Sequence, residues 1–166
     1  MIINKFFKIT VSLILFTSFL LSENYKVEVG IESITEKNGK YNISVYVINP
    51  YDPIAGIQFK IIPSTIFSVE EVHGGRSEDA GFQIHKNAKG TILGFSMTGN
   101  TIPSSNTISG PNRLKDNVVL NIIATGSKIP KDTMLDMECV MASKQGESLP
   151  TEFIPFDLSN INIGKE

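Results

Sequence analysis

From residue 26 onward the chain is patterned with a period of two. Val27, Val29 and Ile31 alternate with Lys26, Glu28, Gly30 and Glu32, and Ile43, Val45 and Val47 alternate with Asn42, Ser44 and Tyr46. Such alternation places one set of side chains on a core and the other in water, as in a half-buried strand. Between the two runs stands Lys37-Asn38-Gly39-Lys40. Asn-Gly favours a tight hairpin because both residues tolerate positive φ, so residues 26–48 are predicted to form one β-hairpin. Tyr46 is expected to point outward from it.

The same pattern recurs to the end. Ile57, Phe59 and Ile61 alternate with Gln58 and Lys60, and Pro63 closes that run. A strand over 66–72 stops at Gly74-Gly75, and a single helical turn is expected over 78–82. Phe82 and Ile84 face away from Gln83 and His85. Leu93, Phe95 and Met97 are read as inward, with Gly94, Ser96 and Thr98 outward. A polar loop spans 99–113. Val118 to Ala124 is almost wholly apolar, as for a strand covered on both sides or central in its sheet. Leu135, Met137, Cys139 and Met141 alternate with Asp136, Glu138 and Val140, and Leu158, Ile161 and Ile163 end the chain. About nine short strands separated by turn signals predict a β-sandwich or barrel. The expected core is Val29, Val45, Ile57, Phe59, Phe82, Leu93, Phe95, Leu120, Ile122 and Leu135.

The first 22 residues have a different character. Lys5 and Lys8 precede an uncharged run from Ile9 to Leu21, 13 residues long. That is short of the roughly 20 residues of a membrane span and typical of a secretory signal peptide. Cleavage is expected near Ser22, giving a secreted chain (extracellular, cell-surface or periplasmic) that forms one domain over 23–166. The mature chain is expected to have no stable membrane span.

Composition narrows the function classes. With 15 Lys+Arg against 17 Asp+Glu the net charge is −2, and losing Lys5 and Lys8 leaves 13 basic residues. A nucleic-acid partner held by bulk electrostatics needs the opposite balance. Cys139 is the single cysteine, so neither a disulfide nor a thiolate cluster can form within the chain. His73 and His85 lack identifiable partners for a metal or a catalytic triad. Gly94-Phe95-Ser96-Met97-Thr98-Gly99 is not a nucleophile elbow, because it lacks the G-x-S-x-G spacing and the following helix. No EF-hand loop is present, and Asp52 and Asp79 are the loop carboxylates placed for a single calcium. The residues therefore name no catalytic group, metal site or cofactor, and the chain is read as a non-enzyme.

The order of several strings carries a resemblance. The hairpin is followed by NPYDPIAGIQFKI (49–61), EEVHGGRSEDAGFQIH (70–85), TILGFSMTGNTIP (91–103) and NVVLNIIA (117–124). The sequence resembles the cohesin-like domains of secreted bacterial proteins, in the superfamily of the family-2 and family-3 carbohydrate-binding modules. AGIQF (55–59) and LGFSMTG (93–99) are the most specific pieces, and the likeness covers residues 26–164. The resemblance implies an all-β fold, a nine-stranded antiparallel β-sandwich of jelly-roll topology. It also implies a non-catalytic binding module serving extracellular polysaccharide degradation, with a dockerin-type protein partner on one flat sheet face. By the family's strand order that sheet contains 55–62, 82–87, 91–98 and 134–142. Its outward positions are expected to be Gln58, Lys60, Gln83, His85, Ser96, Thr98, Asp136 and Glu138, a polar face without aromatics. The alternative is direct binding of a polysaccharide, which favours rows of exposed rings. The chain has no Trp and four Tyr, of which Tyr46 and Tyr51 are the candidates.

Overall fold

A computed structural model describes residues 25–87, 89–126 and 133–163. The expected segment 1–22 lies outside them. The architecture is a sandwich of two six-stranded sheets. The hairpin forms as the Asn-Gly signal requires: β1 (Val27–Lys37) and β2 (Lys40–Ile48) pair antiparallel, with Asn38 and Gly39 at φ 54° and 74°. β7 (Val118–Gly126) pairs with β2, and β4 (Phe67–His73) with β7. The second sheet runs β8 (Met134–Ala142), β3 (Gly56–Ile62), β6 (Thr91–Phe95), β5 (Gln83–Lys86). These four strands are those expected to share a sheet.

The strand count exceeds nine because prolines cut the C-terminal segment into pieces. Proline cannot donate to a ladder. Pro150 and Pro155 accordingly separate β9 (Ser148–Leu149), β10 (Thr151–Ile154) and β11 (Phe156–Asp157), with β12 (Asn162–Ile163) following. β9 and β11 pair with β8, whereas β10 and β12 cross to the other sheet and run parallel to β1. The last stretch thus bridges the two sheets along one side. Among the described residues the one α-helix, α1 (Gly75–Asp79), starts three residues before the expected turn and ends where Gly81, at φ 71°, breaks the helical path.

The core lies between the sheets. Val29, Ile43, Val45, Leu120 and Ile122 meet Ile57, Phe59, Ile92, Leu135 and Met141, all essentially without solvent contact. Two expected core members are absent. In β6 it is Ile92 and Gly94 that face inward, while Leu93 and Phe95 face outward. The register is set by crowding opposite Gly94. A Cβ there would stand 2.5 Å from Ile84 Cδ1 and 2.8 Å from Ile57 Cγ1, closer than side chains tolerate. Only glycine lets the two isoleucines close over that position. Tyr46 points outward from β2 as expected but is covered there. It is 4 % exposed, its ring lying over the bare backbone of Gly30 and its hydroxyl donating to Glu28 Oε1 at 2.8 Å.

The 96–117 connection crosses from one sheet to the other and is held by Arg76 of α1. Its Nη1 donates to Val47 O (2.9 Å), Asn117 Oδ1 (3.1 Å) and Ser105 Oγ (3.2 Å), and its Nη2 to Asn49 Oδ1 (3.2 Å) and Pro103 O. All five acceptors are neutral, and burial pushes the guanidinium below its usual pKa. Asn49, Ser105 and Asn117 are themselves buried, and the arginine joins them into one network in which Asn49 and Ser105 also bond each other. Farther along, Arg113 pairs with Glu28 and so closes the loop over Tyr46.

Two stability measurements check this packing. Ile92→Ala should cost about 2–5 kcal/mol in urea unfolding, as a buried truncation does. Leu93→Ala should cost less than about 1 kcal/mol, as an outward position does; the reverse ranking would restore the opposite register. Arg76→Lys should cost at least about 2 kcal/mol, because a compact ammonium cannot span acceptors arranged for a planar fork. A loss below about 0.5 kcal/mol would show the hub to be dispensable.

Candidate functional site

The outer face of β8-β3-β6-β5 is built by the ladder register. Val140 lies opposite Gln58, Gln58 opposite Leu93, and Leu93 opposite His85, forming one row across four strands. A row of four strands spans about 14 Å at ordinary strand spacing. On one side of it lie Ala142, Gly56, Phe95 and Gln83 in register; on the other lie Glu138, Lys60 and Thr91.

The face is apolar at its centre. Leu93 is 44 % exposed and Val140 45 % exposed, with the half-buried Phe95 two residues along β6 from Leu93. Met97, just past the strand end, is 71 % exposed. The His85 imidazole lies against the Phe95 ring, with centroids 6.1 Å apart and planes inclined by 33°. Small residues at Gly56 and Ala142 leave the surface low beside them. Charge is confined to the sides: Lys60 Nζ and Glu138 Oε2 pair at 3.2 Å, and Asp136 is exposed farther along β8.

Six of the eight expected positions belong to this face: Gln58, Lys60, Gln83, His85, Asp136 and Glu138 stand outward as alternation requires. Ser96 and Thr98 do not share the ladder. β6 ends at Phe95, and both residues lie in the following turn, where their hydroxyls bond each other at 3.0 Å and Gly99 N donates to Ser96 O. The reason is the inverted register of β6, which puts Leu93 and Phe95 where Ser96 and Thr98 were expected. The face is therefore neither wholly polar nor free of aromatics. One signal was available in the sequence: Val140 alternates in phase with Asp136 and Glu138, an apolar residue at an outward position.

The remaining chemistry is quiet. Burial and then the nearby Asp136 push the Cys139 thiol up to about 12, which keeps it protonated and unreactive. Among the described residues, no three His, Cys, Asp or Glu side chains gather to hold a metal. Tyr51 is 70 % exposed but meets Tyr25 edge-on, with ring centroids 4.7 Å apart and planes at 87°. With Tyr46 covered, the tyrosines make no flat row.

No family model matches the chain, and no curated protein matches it. Solved structures do. The non-cellulosomal cohesin of the hyperthermophilic archaeon Archaeoglobus fulgidus is 14 % identical with a TM-score of 0.54, covering 85 % of this chain and 93 % of that one. The third ScaB cohesin of R. flavefaciens, in complex with a group 1 dockerin, is 15 % identical with a TM-score of 0.54, covering 87 % and 99 %. The OlpA cohesin in a type I cohesin–dockerin complex from Clostridium thermocellum is 15 % identical with a TM-score of 0.51, covering 84 % and 99 %. At these identities the likeness concerns the fold, which is a cohesin-like β-sandwich.

Proposed function

We propose that this chain is a secreted, non-catalytic docking module that receives a dockerin-type protein on the outer face of β8-β3-β6-β5. The observation that carries the reading is the row Val140-Gln58-Leu93-His85 with Phe95 beside it. Aliphatic and aromatic side chains stand exposed in the middle of a regular sheet, framed by polar and charged ones. A solvated sheet face has no need of them, whereas an interface concentrates its energy in such a centre and keeps a polar rim. Two of the similar structures are cohesins bound to dockerins, which supports the choice of partner class. The sequence resemblance to cohesin-like domains of secreted bacterial proteins extends the proposal to a role in extracellular polysaccharide degradation. Direct sugar binding has weaker support, because Tyr46 is covered and Tyr51 meets Tyr25 edge-on.

Two outcomes are expected. Leu93→Asp should weaken capture of purified dockerin modules at least tenfold, equivalent to about 1.4 kcal/mol. Its stability should move by no more than about 0.5 kcal/mol, as is usual at an exposed position. Capture unaffected by Leu93→Asp would remove the face from the proposal. Export rests on Lys5, Lys8 and the apolar run 9–21. Intact-mass measurement of the protein from its producing cells should give a start near Glu23; a cytoplasmic chain retaining Met1 would refute export.

A further inference from the structure

Beside that face, where the edge strands β4 and β5 of the two sheets come together, lies a groove of about 640 Å³. Three of its lining residues are Lys60, Lys86 and Lys89, joined by Ser64, Thr65 and Asn87; among the described residues no Asp or Glu lines it. Lys60 is already paired with Glu138 on the sheet face. Among the described residues, Lys86 and Lys89 have no carboxylate within 4.0 Å. Three ammonium groups around one concavity are out of keeping with a chain of net charge −2. Like charges held together repel, and a groove that retains them is complementary to an anion.

The platform is rigid where it matters. Asn87 Oδ1 accepts from Lys89 N at 2.9 Å and Thr91 N at 3.0 Å, and Asn87 N donates to Thr91 O at 3.0 Å. These bonds hold the turn between β5 and β6 and engage the backbone donors of Asn87, Lys89 and Thr91. What remains for a ligand is the lysine side chains. Lys60 and Lys86 flank the start of β6, opposite Thr91 and Ile92, so their backbones are about 10 Å apart, two strand spacings. Ammonium groups on flexible stems are point charges that adapt to carboxylates along a chain, whereas a single phosphate is better matched by the planar fork of an arginine, which the described lining lacks. Lys60 and Thr91 stand one row from Gln58 and Leu93, so the groove is continuous with the docking face.

We infer that this groove holds an acidic segment of the protein docked on the adjoining face; this rests on the docking reading above. Asp136 and Glu138 lie on β8 and Lys86 on β5, at the two ends of the strand order β8-β3-β6-β5 with the Lys60–Glu138 pair toward the β8 end, so an acidic segment is admitted in one orientation.

The groove is tested separately from the face. Titration of the mature domain with octaglutamate at low salt, followed in its amide NMR spectrum, should shift Ser64, Ser68, Asn87 and Gly90 saturably. The Lys86→Glu/Lys89→Glu double variant should stay folded, because both positions are exposed, and should lose those shifts. Absent shifts, shifts that survive the double variant, or tighter binding of an oligogalacturonate would overturn the inference. With dockerin modules, the double variant should lose at least tenfold in affinity at low salt, and the loss should shrink as salt is raised. A dockerin that binds on Leu93 but ignores both reversals would also overturn it. Octaglutamate binding that maps to the groove while Leu93→Asp leaves dockerin capture intact would support the groove and remove the docking face.

Discussion

Arg76 is the point on which the arrangement of the sandwich turns. A guanidinium withdrawn from water without a carboxylate is costly unless its donors are met. Here they are met by five neutral oxygens from β2, from the turn after it, and from the 96–117 connection. The dependence is mutual. Asn49, Ser105 and Asn117 are buried amide and hydroxyl groups that would otherwise compete for partners, and each also bonds the loop backbone. One side chain thus determines where the long connection leaves β6 and enters β7. The entry to β7 sets the strand that carries Leu120 and Ile122 into the core.

The face and the core share a boundary in β6. Gly94 faces inward because Ile57 and Ile84 meet over it, and this turns Leu93 and Phe95 to the outside. The apolar surface offered to a partner is therefore a by-product of close packing beneath it. A side chain added at Gly94 acts on both sides at once, parting the isoleucines below and displacing the strand that presents Leu93.

Alternation made most of the sandwich legible. In β3, β5 and β8 the outward Gln58, Lys60, Gln83, His85, Asp136 and Glu138 alternate with apolar inward residues, so the period has one solution there even though Val140 is an apolar outward exception. β6 has two. Ile92 and Leu93 are both apolar and Gly94 has no side chain to weigh, so the string reads equally well in either register. The choice is made by contacts with Ile57 and Ile84, which lie 37 and 10 positions before Gly94 in the chain. Arg76 was illegible for a related reason. Its partners at 49, 103, 105 and 117 look like solvated loop residues until the loop is folded over them. Tyr46 alternates as an outward residue and is outward, but the 96–117 connection lies above it, and its cover is a tertiary fact.

The C-terminal segment links the first strand to the last. β1 pairs with β10 and β12, so the earliest strand to be synthesised keeps an open edge until residues 151–163 have been made. β8 likewise waits for β9 and β11. Exposed edges are templates for pairing with other chains, and closing them across nearly the full length of the chain is a slow kind of folding. A nascent chain stopped before Pro150 would carry two unsealed edges, one on each sheet. The vulnerable interval in the life of this protein is thus the time between completing its core strands and delivering residues 151–163.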